Sequence, residues 1–132
     1  MDERDLAKTN GYGRIALGAG LALAPGLAGR SWVGGDASST GAKVFASALG
    51  ARDVALGLGV VLALKNDAPA RGWLEGAALA DVVDFAATAL AGSAIPKASR
   101  WGIMALAAGS AVQCALIART IDDWSANSSS TS

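Results

Sequence analysis

The chain has 132 residues, 52% of them apolar, with 17 glycines and only 17% charged side chains, a balance unusual for a soluble domain. Eleven basic residues against eleven acidic ones leave no net charge, and the basic residues stand singly, so no patch suited to nucleic acid forms. With no histidine and a single cysteine, Cys114, a zinc site, a bis-histidine haem, a Cys-x-x-Cys redox pair, an internal disulfide and histidine-dependent triads are excluded; no metal site and no cofactor is expected.

Residues 1–11 form a short polar N-terminus, with Asp2, Glu3, Arg4, Asp5 and Lys8. A secretory signal would place a basic region before an apolar core and a small-residue cleavage site after it. Arg30, Ser31 and Trp32 follow the first apolar run instead, so that run is expected to be retained. Four apolar segments succeed one another, over about 12–29, 43–64, 72–95 and 101–118. Each is close to the ~20 residues that cross ~30 Å of hydrocarbon at ~1.5 Å per residue. The fourth is the cleanest, with no charge between Arg100 and Arg119 and apolar side chains on every side of a helix, which demands burial or lipid. The first is the weakest, because Pro25 and many small residues shorten its apolar core.

The connections favour helices. Gly34 to Thr40 supplies turn glycines and then N-cap residues for a helix from about Gly41; capping is preferred to a phosphate loop over Gly35 to Lys43, because Ala42 separates Gly41 from Lys43 where the Walker pattern needs Gly and Lys adjacent. Lys65 to Arg71, and the stretch around Pro96 to Arg100, read as tight polar hairpins, and short links make sequential helices antiparallel neighbours. The expected fold is all-α: a four-helix transmembrane bundle over 12–119, with a disordered polar tail over 120–132.

Four charges, Arg52, Asp53, Asp81 and Asp84, fall near the middle of the second and third segments. Each costs about 2.5 to 3.5 kcal/mol to insert unless paired, protonated or solvated. Counting outwards from Ala68 in the hairpin places Arg52 level with Asp84, and all four within about 5 Å in depth. Asp81 and Asp84 share a face with Ala77 and Thr88. Arg52 is expected to clasp Asp84 or Asp81 in a two-pronged pair. One positive charge against three negative ones leaves two carboxylates that need protons, a cation, water or a basic group from a second subunit.

Ser110 and Gln113, near the middle of the fourth segment, can hydrogen-bond this cluster or act as interhelical glue. The candidate ligand contacts are therefore Arg52, Asp84, Thr88, Ser110 and Gln113, and the candidate catalytic groups, if there is turnover, are Asp81, Asp84, Arg52 and Asp53. Cys114 reads as a packing residue, Glu75 as the exposed partner of Arg71, and Trp32, Trp73, Trp101 and Tyr12 as an interfacial aromatic belt. Gly50, Asp53 and Gly57 line one face of the second helix, and Gly18, Ala22 and Gly26 line one face of the first if that helix continues past Pro25. Such stripes permit close approach within a chain or between chains, so a homo-oligomer or a place in a larger membrane complex is expected. Arg4, Lys8, Arg14, Lys65, Arg71 and Arg119 on one side, against Arg30, Lys43, Lys97 and Arg100 on the other, favour a multi-pass protein of the cell membrane with both termini cytoplasmic.

Arg14-Ile15-Ala16-Leu17-Gly18 with the later Ala24-Pro25, Leu49 to Leu58 around Gly-Ala-Arg-Asp, and Ala80-Asp81-Val82-Val83-Asp84 together resemble a domain-of-unknown-function family of small four-span membrane proteins, loosely similar to the DoxX-like group. The resemblance covers most of 12–119 and implies a membrane architecture but no activity. Small multidrug transporters are similar in size and span number, but they rely on a carboxylate in the first helix, where this chain has none.

Three functions fit these residues. One is an accessory or scaffold protein whose Arg/Asp cluster fixes helix packing or docks a larger membrane complex. Another is a membrane enzyme acting on an apolar, lipid-like substrate such as an isoprenoid or quinone, with Asp81 and Asp84 as an acid/base pair tuned by Arg52. The last is a proton-coupled carrier acting as an oligomer.

Overall fold

The computed structural model describes residues 1–27, 30 and 39–129. It contains four long helices, α1 (Glu3–Leu23), α2 (Thr40–Lys65), α3 (Arg71–Ala91) and α4 (Lys97–Ser129), with a 3-10 turn over Gly92–Ala94 after α3. No strand occurs among the described residues, and the fold is all-α.

Helix α1 begins well before the apolar pattern does. Asp2 caps it, accepting the Asp5 backbone N–H at 2.8 Å, and Glu3 and Asp5 place negative charge in the first turn, where the helix dipole favours it. It stops at Leu23, two residues before Pro25, whose ring and missing N–H cannot continue the ladder. Arg14 therefore sits mid-helix rather than at the head of a span.

Ser39 caps α2 by accepting the Ala42 N–H at 3.1 Å; the rest of the expected connection, 34–38, lies outside the described residues. At the other end Asp67 takes the left-handed conformation, with φ 51°, and the Ala68 N–H returns to the Ala63 carbonyl at 2.8 Å. This is the tight hairpin the polar residues call for. Gly92, with φ 55°, ends α3, and α4 starts just after Pro96. That last helix runs on to Ser129, through much of the segment whose composition reads as a tail.

The helices pack as two intimate antiparallel pairs, α1 with α2 and α3 with α4. Glycines set the first pair. A Cβ on Gly18 would fall 2.5 Å from the Gly50 carbonyl oxygen, and one on Gly11 would fall 2.9 Å from Val61 Cγ2 and 3.1 Å from the Gly57 oxygen. Gly11 against Gly57 and Gly18 against Gly50 share one register, and Arg4, bonding the Leu64 carbonyl at 2.8 Å, extends it to the hairpin. The apolar core gathers at that hairpin end, around Ala7, Val60, Leu64, Leu74, Cys114 and Ile117.

Three helices, Thr40–Lys65, 71–94 and Lys97–Ile121, are long and apolar enough to cross a membrane. Only 17% of the apolar window of α3, and the same share of α4, is buried inside the molecule. Many of the other positions are exposed, Leu79, Val83, Leu106 and Val112 among them, which fits a membrane protein. Helix α1 is not among these candidates: its first turns are charged and Arg14 interrupts the rest.

Candidate functional site

Arg14 stands at the centre of the bundle, only 6% exposed. The glycines on either side of it bring α1 so close to α2 that its Nη1 donates to Asp53 Oδ1 at 3.2 Å. Its Nη2 pairs with Asp81 of α3 and donates to Ser110 Oγ of α4 at 3.0 Å. Nε reaches back one turn to Asn10 Oδ1 at 3.3 Å.

A second arginine completes the arrangement. Arg52 clasps Asp84 across the α2–α3 hairpin, Nη1 to Oδ1 at 3.0 Å and Nη2 to Oδ2 at 2.7 Å, the fork geometry that suits guanidinium and carboxylate. Its Nη2 also donates to Asp53 Oδ1 at 3.3 Å. The charges thus alternate along one chain, Asp81–Arg14–Asp53–Arg52–Asp84, drawn from three helices. Among the described residues, Arg52 Nε is the one buried side-chain nitrogen or oxygen without a hydrogen-bond partner.

The four expected charges are brought together, and Arg52 takes Asp84 rather than Asp81. The fifth member is Arg14, which a first span counted from Tyr12 puts near the membrane surface. Its burial changes two expectations. The imbalance becomes two positive charges against three negative ones, and Arg14 leaves the set of surface basic residues that orients the chain. The signal that would have found it is the seven-residue spacing of Gly11 and Gly18, matched by Gly50 and Gly57.

Ser110 and Gln113 do face the cluster, but as links between α1 and α4. Ser110 accepts from Arg14, and Gln113 Oε1 accepts from Asn10 Nδ2 at 3.1 Å. Asn10 was not singled out by sequence. Thr88 is buried on α3 one turn beyond Asp84 and does not line the groove described below. Cys114 is fully buried in the core, with its Sγ 3.5 Å from Asn10 Oδ1. Glu75 accepts from Arg71 at 2.7 Å in an exposed pair. Trp73 lies over Gly59, where a Cβ would collide with its ring; Trp101 is exposed beside Arg100, and Trp32 lies outside the described residues.

Beyond the Arg14–Ser110 contact, α1 and α4 enclose a groove of about 610 Å³. Leu17 and Leu21 of α1 and Ile103 and Leu106 of α4 supply its apolar walls, Arg14, Asp53, Asp81 and Asp84 its charged lining, and Asn10, Ser110 and Gln113 further polar groups. No group of three His, Cys, Asp or Glu side chains among the described residues is arranged to hold a metal ion. Comparison with protein-family models, with curated proteins and with solved structures returned no match to this chain.

Proposed function

We propose that the chain is a small integral membrane scaffold or accessory subunit, in which the alternating Arg/Asp network fixes the packing of the helices and so presents their outward apolar faces to a larger membrane complex or a second copy. The observation that carries this reading is the position of Asp53 between Arg14 and Arg52. Through it one run of charges ties α1, α2 and α3 together, and Ser110 adds α4. Charges placed in an apolar interior are tolerated when opposite charges and hydrogen bonds meet them, and once met they hold register and orientation firmly. Asp81 and Asp84 are engaged by different arginines, which favours a packing role over an acid/base pair sharing one proton.

The test is a double-mutant cycle on the protein extracted in mild detergent. Arg52→Gln and Asp84→Asn should each lower thermal stability and the recovery of any stably bound membrane partner together, with a coupling energy of about 1–3 kcal/mol between the two sites. An Asp84→Asn variant that kept full stability and assembly, yet lost turnover or transport of a small molecule, would refute the scaffold reading.

A further inference from the structure

We propose that the groove between α1 and α4 binds a lipophilic monocation, a protonated amine carried on an apolar body. This does not depend on the scaffold reading, since a packing network can also form one wall of a binding site.

Three features of the groove specify the ligand. Its charge comes first: the network lining it holds Arg14 and Arg52 against Asp53, Asp81 and Asp84, so one carboxylate is in excess and a single positive charge completes the set. Hydrogen bonding comes second. Asp53 accepts both arginines on Oδ1 and Asp81 accepts Arg14 on Oδ2, so the second oxygen of each carboxylate, Asp53 Oδ2 and Asp81 Oδ1, is not taken up by an arginine. Both aspartates line the groove, whereas the two Nη groups of Arg14 are already committed to Asp53, Asp81 and Ser110. The carboxylates therefore offer acceptors to an N–H donor, and the committed guanidinium offers little to an anion. Shape comes third. The volume of about 610 Å³ falls within the roughly 300–1,000 Å³ of small-molecule sites. Leu17 and Leu106, 65% and 68% exposed, border it where an apolar tail can enter sideways from lipid.

Discrimination by charge is what separates this site from a gap that any acyl chain would fill. The protein in zwitterionic lipid nanodiscs, with empty discs as the control, should bind one equivalent of dodecylamine by native mass spectrometry. That binding should be at least about tenfold tighter than binding of dodecanol, as a charge-assisted hydrogen bond requires, and dodecanoate should not bind. Leu106→Trp, which fills the groove from an exposed position, should abolish amine binding without lowering the unfolding temperature. Equal binding of amine and alcohol, absence of saturable amine binding, or undiminished binding to Leu106→Trp would each overturn the proposal.

Discussion

Arg14 and Arg71 carry the same guanidinium in opposite settings, and the contrast sets the scale of what each can contribute. Arg71 meets Glu75 with both side chains about half exposed, and pairs of that kind are worth at most about 1 kcal/mol. Arg14 is buried and is the partner of Asp81, itself only 6% exposed. Removing one member of such a pair strands the other, which costs about 3–5 kcal/mol. Arg14→Gln is accordingly expected to unfold in detergent at far lower denaturant or temperature than wild type, and Arg71→Gln to unfold within about 1 kcal/mol of it. Cys114 gives an independent residue-level check: fully buried against Asn10 and the core, it should resist a membrane-permeant maleimide in the folded protein and react on denaturation. At this scale the sequence is informative where geometry is short-range. Counting residues either side of a tight hairpin puts Arg52 level with Asp84 and narrows its partner to Asp84 or Asp81, because two helices joined by a few residues must run level. Arg14 could not be placed that way, since its partners lie 39 and 67 residues away in the chain and only tertiary packing joins them.

Helix α1 shows how an element's boundary decides the meaning of a residue inside it. Apolar periodicity alone begins near Tyr12, but Asp2 and the acidic first turn start the helix at Glu3, and the cap is as legible in the sequence as the apolar run. The pairing of α1 with α2 is written in glycines at matched spacing, and their roles differ sharply. Gly18 has the Gly50 carbonyl 2.5 Å from where its Cβ would be, while Gly20 has nothing within 4 Å. Gly18→Leu should therefore force the pair apart and destabilise by roughly 1–3 kcal/mol. Gly20→Ala should instead raise stability by up to about 1 kcal/mol through helix propensity. Thermal unfolding of the two variants side by side checks both directions. Gly26 would join the same stripe only if the helix ran on past Pro25; the helix ends at Leu23, and Gly26 has only the Lys43 side chain near it, with Cε 3.6 Å from its would-be Cβ.

Across the whole molecule, order is distributed unevenly. The hairpin end holds the apolar core and the Arg4 contacts to Leu64 and Asp67, whereas the opposite end is divided by the groove between α1 and α4. Amide hydrogen exchange should be slowest over 57–64 and 111–118 and faster over 99–106, since local opening follows the density of buried contacts; uniform protection along α4 would contradict that gradient. The sequence conveys the all-α architecture and three of the apolar spans plainly, because each is a continuous property of twenty-odd neighbouring residues. It conveys the groove hardly at all, because a cavity is what is left when distant helices fail to touch. The distribution of charge among the helices also bears on how the protein is made. Arg14 belongs to the first of the four helices to leave the ribosome, yet its counter-charges, Asp53 and Asp81, belong to the second and third. A lone α1 would leave that guanidinium without a counter-charge, so Arg14 can be buried only once α2 and α3 have packed against it, and the burial of this one side chain is a cooperative event of three helices.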